Sequence, residues 1–227
     1  MLIDDTKDIY NGTTPITKIY NGSSVVYEKA PQYTEIQYLK SSGTQYINTL
    51  FSATINTKID INYAYAGTTT NGKTRIFGSR KDWNLNGFYA GTYMDQSRGA
   101  YWYLVGDIVN DRWHSASKNA DVYNHHLILS KNGAVLDNIT IWQPDDVVSS
   151  FTPFGTIALF GAYEGNGTNT PTINTGIVII YNCKIYDNDV LIRDYIPVLD
   201  TNNVPCLYDK VSKTFFYNQG TGTFLYG

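Results

Sequence analysis

The chain is poor in charged residues, and this shortage narrows its possible functions. Only 16% of its 227 residues are charged, against roughly 25% in an average soluble protein, and the formal net charge is −3. No basic excess is available to neutralise phosphates, so we expect no nucleic-acid binding. The longest aliphatic run covers residues 177–180, far short of the roughly 20 residues that cross a bilayer, so we expect no membrane insertion.

Cysteine is also scarce. Cys183 and Cys206 are the only two, too few for a disulfide framework. The sequence predicts buried thiols, with a single bridge between neighbouring strands as the alternative. Neither cysteine has a histidine nearby or a CxxC spacing, so we expect neither metal binding nor thiol catalysis at these positions.

The first ten residues lack the apolar run of a secretory signal peptide. They contain three aspartates instead. We therefore expect synthesis in a cytoplasm and no export through a cleavable signal.

Threonine, asparagine, tyrosine and glycine are abundant, with 25, 21, 20 and 19 copies. Threonine and tyrosine favour strands, whereas asparagine and glycine favour turns. From Tyr33 onward, turn signals recur about every eight to twelve residues, and no window shows a convincing helical period. The pattern predicts an all-β fold. A domain of about 195 residues is longer than an immunoglobulin module and suits a larger jelly-roll β-sandwich.

Individual strands can be placed from their patterns. Residues 54–65 alternate apolar and polar side chains, which is typical of a half-buried antiparallel strand. Residues 123–129 and 134–142 predict a hairpin around an Asn-Gly turn. The nearly continuous apolar runs 156–160 and 177–185 favour central strands.

The first thirty residues form a separate segment. Ile-Tyr-Asn-Gly occurs at 9–12 and again at 19–22, and residues 16–20 can pair with 25–28 as a hairpin. This piece is too short to bury a core. We therefore divide the chain into an anchoring segment, 1–30, and a jelly-roll domain, 31–227. The candidate anchoring residues are Ile16, Ile19, Tyr20, Val25 and Tyr27.

The C-terminal sequence resembles that of a known family. Residues 184–187 (KIYD) lead into 191–198 (LIRDYIPV), and residues 204–224 contain PCLYD, TFFYN and GTGTF. This text resembles the end of concanavalin A-like (laminin-G-like) jelly-roll domains in phage and prophage structural proteins and gut-bacterial surface proteins. Residues 38–47 (YLKSSGTQYI) are similar to the opening of such domains, and 16–28 resembles short units of phage virion proteins.

The resemblance implies a concanavalin A-like jelly roll and a place in a bacteriophage virion, as a tail fibre, head fibre or decoration protein. It implies a homo-oligomer that attaches to other virion proteins through residues 1–30. The displayed domain is then expected to adsorb to host-surface glycans. The alternatives are a purely architectural virion protein, a bacterial surface carbohydrate-binding protein and a glycan hydrolase.

The C-terminal residues can also be explained by structural roles. Residues 210–213 predict a four-residue hairpin loop, and Gly220 and Gly222 permit conformations closed to other residues. Phe216 and Phe224 are expected to pack back onto the sandwich.

Catalytic chemistry finds little support in the sequence. Glycoside hydrolysis needs two carboxylates, but the three glutamates lie in no E-x-D-x-E motif. Asp145 and Asp146 would face opposite ways on a strand, as would His125 and His126. We therefore expect no enzyme, no catalytic residue and no metal ligand set. The glutamates are Glu28, Glu35 and Glu164.

Aromatic side chains next to asparagines are the best candidates for a binding site. Flat rings stack on sugars, and a few polar groups match the hydroxyls. For each aromatic residue, core packing or a subunit interface is the alternative. The candidate carbohydrate-binding residues are Trp83, Asn84, Asn86, Tyr89, Tyr93, Trp102, Tyr163 and Asn166.

No cofactor is expected, although calcium remains an alternative. Lectin-like jelly rolls can bind it through loop carboxylates and amides. The competing interpretation is that these residues bond their own backbone in turns. The candidate oxygen donors are Asp82, Asn84, Asn86, Asp95 and Asp107.

Overall fold

The protein is built from β-strands, as its composition predicts. The computed structural model describes residues 9–11, 13–16, 18–28, 32–67, 73–82, 85–95, 98–106, 114–116, 123–143, 152, 154–165, 170 and 172–227. Every regular element in these ranges is a strand. None of the described residues belongs to a helix with the length and apolar character needed to cross a bilayer.

The chain divides into two compact units, Met1–Tyr33 and Thr34–Gly227. The first contains two hairpins. Strand β1 (Ile9–Asn11) pairs with β2 (Thr14–Ile16), and β3 (Lys18–Asn21) pairs with β4 (Ser24–Glu28).

The sequence predicted one hairpin in the first unit, between residues 16–20 and 25–28. The β3–β4 hairpin confirms that pairing, with Gly22 in its turn at φ 63°. Ile16, however, ends β2 and belongs to the preceding hairpin. The reason is that the first Ile-Tyr-Asn segment pairs with its own downstream strand, so each copy starts a separate hairpin.

The second unit contains nineteen strands among the described residues. In chain order they are β5 (Thr34–Glu35), β6 (Leu39–Lys40), β7 (Ile47–Asn48), β8 (Thr57–Tyr65), β9 (Lys73–Asp82), β10 (Leu85–Asp95), β11 (Arg98–Gly106), β12 (His114–Ala116), β13 (Asn124–Ser130), β14 (Gly133–Leu136), β15 (Ile139–Trp142), β16 (Ala158–Leu159), β17 (Gly161–Glu164), β18 (Thr172–Thr175), β19 (Val178–Asp187), β20 (Val190–Leu199), β21 (Pro205–Asp209), β22 (Thr214–Phe216) and β23 (Leu225–Tyr226).

Within the described ranges, these strands form two large sheets. Sheet A has the order β12-β11-β10-β9-β16-β7, with β17 added at β9 and β18 at β17. Sheet B has the order β15-β14-β13-β8-β19-β20-β21-β22, with β5 at β20, β6 at β19 and β23 at β6. Among the pairings of the described strands, that of β17 with β9 is parallel and the others are antiparallel. This is an all-β sandwich, the predicted fold class.

The core lies between the two sheets. Strand β8 shows why, because its apolar residues at alternate positions are buried while Lys58, Asp60 and Asn62 on the other parity are half-exposed. Each large apolar side chain removed from water contributes about 1.5–3 kcal/mol. The core includes Ile59, Ile61, Leu127, Cys183 and Ile185 from sheet B and Phe77, Phe88 and Tyr103 from sheet A.

The predicted hairpin around Asn132-Gly133 is confirmed as β13–β14, but its second arm is divided. Asp137 and Asn138 adopt φ 51° and 65° and turn the chain between β14 and β15. Short polar side chains tolerate this left-handed conformation. The Asp137 carboxylate holds the turn, since it accepts the His126 backbone N–H at 3.0 Å and lies 2.8 Å from the His125 ring.

The C-terminal hairpin forms as predicted, with β21 and β22 joined by residues 210–213. Asp209 is fully buried and organises this turn, accepting backbone N–H groups from Asp194 and Val211. Phe216 and Phe224 both enter the core, also as predicted.

Both cysteines are buried free thiols. Burial raises the pKa of both thiols, that of Cys206 to about 12. The thiolate, which is the reactive form, is therefore disfavoured at both positions.

The turn after β20 should loosen on acidification. The Asp200 carboxylate accepts N–H groups of Val204 and Asn202, both at 2.8 Å, and these bonds lower its pKa. A lowered pKa stabilises the folded turn above the unfolded value of about 3.9, and this contribution is lost as pH falls through the folded pKa. NMR titration should show the Val204 amide signal moving only in that acid range. In the Asp200→Asn variant the movement should vanish; a persisting transition would contradict the assignment.

Candidate functional site

The predicted carbohydrate-binding residues are unevenly covered by the structure. Trp83, Asn84 and Asn166 lie outside the described residues. Asn86 and Tyr93 lie on β10 and Trp102 on β11, where only the backbone is described. Gly91 pairs with Trp102 and Tyr93 with Ala100, so these positions are neighbours in sheet A.

Tyr89 is described fully and is buried. Only 2% of it is exposed, and the Arg80 guanidinium lies 4.2 Å from its ring centroid. Its neighbours Phe88 and Ala90 belong to the core between the sheets, so Tyr89 points to the opposite side of sheet A. It packs there with Leu104 and Ala162 instead of presenting a ring to solvent.

An ionic cluster lies beside Tyr89. The Glu164 carboxylate pairs with Arg80 and with Arg75, the latter at 3.0 Å, and accepts a bond from Asn174 at 2.7 Å. The side chains of Glu164 and Arg80 are each 3% exposed, and that of Arg75 is 12% exposed. Two cations share one buried anion, so the cluster ties β9, β17 and β18 together from inside the protein.

Tyr163 is half-buried on β17. Its ring meets that of Tyr46 edge to face, with centroids 6.0 Å apart. Burial, together with a hydrogen bond to Tyr46, raises the pKa of Tyr163 to about 12, so its hydroxyl stays protonated near neutral pH. Near this pair, an open groove of about 440 Å³ is lined by Gly43, Thr44, Tyr46, Ile173, Thr175, Gln219, Gly220 and Thr221.

The predicted anchoring residues lie on the hairpins of the first unit. Ile16 and Ile19 are half-buried, whereas Tyr20 is 57% exposed. Val25 pairs with Tyr20 and Tyr27 with Ile19, and only the backbone of these two is described.

The calcium alternative falls mostly outside the described side chains. Asn84 and Asp107 are not described, and Asp82, Asn86 and Asp95 are described only as strand backbone. Among the residues whose side chains are described, no three His, Cys, Asp or Glu residues are grouped closely enough to hold a metal ion.

The outer face of sheet B carries a band of polar side chains that we call the polar band. It crosses the three central strands, β8, β19 and β20. Its members are Asp60, Asn62, Asn182, Lys184 and Asp194. The outer face of an antiparallel sheet is ordinarily polar, but this band also borders a pocket of about 310 Å³ that Ile196 and Lys210 complete.

Strand register brings the polar band together. Asp60 pairs with Lys184, which in turn pairs with Asp194, so the three residues lie side by side on neighbouring strands. Asn62 pairs with Asn182, and their side-chain amides are joined by a 2.9 Å hydrogen bond. Residues directly opposite in a sheet have Cβ atoms only about 4.5–5.5 Å apart. Donors and acceptors therefore converge on one small area.

A histidine extends the polar band onto β13. The His126 ring nitrogen lies 2.7 Å from a carboxylate oxygen of Asp60. His125, the next residue, points inward and is only 8% exposed. The two histidines thus lie on opposite faces of the strand and do not form a chelating pair.

Aromatic rings continue the outer face beyond the polar band. Ile196 pairs with Tyr208, and Tyr208 pairs with Phe215 on β22. The ring centroids of Tyr208 and Phe215 are 5.2 Å apart, and those of Phe215 and Tyr217 are 6.2 Å apart. Tyr217 is 39% exposed at the far end of this row, beyond Tyr208 and Phe215.

Sequence reasoning missed the polar band, although one signal was present. The polar residues at alternate positions of 54–65 include Asp60 and Asn62, but they were interpreted only as the solvent-exposed side of a strand. The search for carboxylate pairs considered residues close in sequence, whereas Asp60 and Asp194 come from distant segments and flank Lys184 on either side of β19. No local pattern identifies that pairing.

Neither the comparison with protein-family models nor the comparison with curated proteins gives a match for this chain.

Proposed function

We propose that this chain is a non-enzymatic bacteriophage virion protein whose β-sandwich adsorbs to host-surface glycans. The observation that supports this most is the polar band beside the aromatic row on the outer face of sheet B. A hydroxyl-rich ligand needs both donors and acceptors, and the band supplies amides, carboxylates and an ammonium group within one pocket. The aromatic row that starts at Tyr208 ends in the exposed ring of Tyr217.

The charged groups of the polar band suit the binding of hydroxyl groups. Lys184 is the cross-strand neighbour of both Asp60 and Asp194, so one ammonium group and two carboxyl groups belong to the same side of sheet B. Asp60 also lies within hydrogen-bonding distance of His126. Carboxyl oxygens accept hydrogen bonds and an ammonium group donates them, and a hydroxyl-rich ligand needs both.

The virion context rests on the sequence resemblance of both ends of the chain to phage structural proteins. In this proposal the two hairpins of the first unit attach to other virion proteins or to a second copy of the chain, and Tyr20 supplies an exposed contact. Many copies on one particle then convert weak single sites into firm adhesion, because each bound copy raises the local concentration of the next.

Binding of the full chain to an array of bacterial surface polysaccharides tests the proposal. We expect binding without the release of new reducing ends. The Asn182→Ala variant should bind at least about fivefold more weakly, since an outward amide that can donate and accept is lost. The matched Gln143→Ala variant removes an exposed amide outside the pocket and should bind like the parent chain.

Each other outcome contradicts part of the proposal. Absence of binding to every polysaccharide would favour a purely architectural virion protein. Release of reducing ends that is lost in Asp194→Asn would identify a hydrolase. Equal binding by the Asn182→Ala and parent chains would place the site elsewhere.

A further inference from the structure

A second pocket lies at one end of sheet B, and we call it the end pocket. Three chain segments meet there: the residues that lead into β8, the turn between β13 and β14, and the turn between β19 and β20. Its volume is about 360 Å³, and every lining side chain is polar. The lining residues are Asn56, Thr57, Lys58, Ser130, Lys131, Asn132, Asn188 and Asp189.

Two lysines are held in place at the end pocket. Lys131 Nζ donates a 2.7 Å hydrogen bond to the side-chain oxygen of Asn56. Lys58 Nζ lies 4.4 Å from the ring centroid of Tyr186 and 3.4 Å from the carboxylate of Asp189. Fixing a flexible lysine before a ligand arrives reduces the entropy that binding must overcome.

The charges of the end pocket favour an anion. Its lining contains two ammonium groups and one carboxylate, and the Asp189 side chain is 94% exposed, where water screens its charge. Within the described part of the chain, Lys131 bonds to an amide and makes no ion pair.

The end pocket continues the polar band. Lys58 and Asp60 lie two residues apart on β8, and Tyr186 and Lys184 lie two residues apart on β19. Residues at i and i+2 of a strand share one face and are separated by about 7 Å. A chain of sugars lying on the polar band could therefore pass over the Tyr186 ring and reach both lysines.

We infer that the end pocket binds the anionic group of an acidic saccharide whose neighbouring sugars occupy the polar band. This inference rests on the proposed function and specifies its ligand class. The asparagine and serine side chains match sugar hydroxyls, and the two lysines recognise a carboxylate or a phosphate through charge-assisted hydrogen bonds.

The test compares ligands that differ in charge. The full chain is titrated with a short oligogalacturonate, with its fully methyl-esterified neutral form and with a phosphorylated oligosaccharide of similar length, and the Lys131 and Asn132 amides are followed by NMR. We expect the anionic ligands to bind at least about tenfold more tightly than the neutral ester. The difference should shrink as salt is added. The stronger of the two anionic ligands identifies carboxylate or phosphate as the recognised group.

Two lysine variants locate the effect. Lys131→Gln should remove most of the preference for charge while leaving the thermal unfolding temperature unchanged, because the side chain lies in a partly exposed turn. Lys40→Gln is the matched control. Lys40 pairs with Ile179 near the start of β19, whereas the end pocket adjoins Asp187 at the other end of that strand. The two positions are eight residues, or roughly 26 Å, apart, so loss of the Lys40 charge should not alter the preference for anionic ligands.

The results separate this inference from the proposed function. Equal affinity for the acidic and esterified ligands, or an equal effect of the two lysine variants, would overturn the inference. Absence of shifts at the Lys131 and Asn132 amides with either anionic ligand would also overturn it. The proposed function would survive each of these results if polysaccharides still bind at the polar band, and it would fall only if none does.

Discussion

Replacing Glu164 by glutamine should lower the free energy of unfolding by about 3–5 kcal/mol, because two guanidinium groups then remain buried without their anion. The side chains of Glu164 and Arg80 are each only 3% exposed, so water cannot replace the lost charge. Arg75 is nearly as enclosed. Glutamine keeps the shape of the side chain, so the loss reports the charge and not a cavity. Denaturation in urea, followed by far-ultraviolet circular dichroism, measures it.

Asp189→Asn is the matched control for this substitution. It also removes one carboxylate facing a lysine, but the Asp189 side chain is 94% exposed, and exposed pairs contribute little. The urea concentration at the midpoint of unfolding should hardly change in this variant. A loss below about 1 kcal/mol for Glu164→Gln would show that the arginines find other compensation and that the cluster is not a structural requirement.

Replacing Phe160 by alanine should lower the free energy of unfolding by about 3–5 kcal/mol, the usual cost of truncating a buried aromatic side chain. Phe160 is fully buried, and its ring centroid lies 4.6 Å from that of Phe224. Its backbone adopts φ 61°, a conformation that costs a residue with a Cβ roughly 1–2 kcal/mol. Packing of the ring offsets that cost in the native protein.

The backbone conformation gives this prediction a second, sharper part. Phe160→Gly should be no less stable than Phe160→Ala, although it removes one more carbon, because glycine relieves the strained φ. Val190→Ala, at a position that is 61% exposed, should change stability by at most about 0.5 kcal/mol. A glycine variant clearly less stable than the alanine variant would mean that the backbone relaxes on truncation.

Local pattern predicted much of the fold. The alternation in residues 54–65, the Asn-Gly turns and the apolar run 177–185 each depend on neighbours in sequence, and they correspond to β8, the β3–β4 and β13–β14 turns and β19. The division between β14 and β15 was missed because the strand-like residues on both sides of Asp137 and Asn138 were interpreted as one continuous arm. The contacts of Asp137 with His125 and His126 stabilise the turn there.

The candidate site was harder to predict, since it depends on register between distant strands. Asp60, Lys184 and Asp194 become neighbours only when β8, β19 and β20 pair, and shifting one strand by a single residue would turn its side chains to the other face. The end pocket likewise needs three turns to meet. The search for aromatic residues next to asparagines selected Tyr89, although its ring is buried against Arg80. Composition cannot show which face of a strand points to solvent.

The pairing of β6 with β23 has a mechanical consequence. Strand β6 pairs antiparallel with β23, and the N–H groups of Gln37 and Tyr38 both donate to the Gly227 carbonyl. A force that pulls the two ends of the second unit apart would therefore break these few hydrogen bonds one after another, starting from one side. When the second unit is stretched from its two ends, we expect its terminal strands to detach first, at low force. The rest of the β-sandwich should then resist extension as a rigid body.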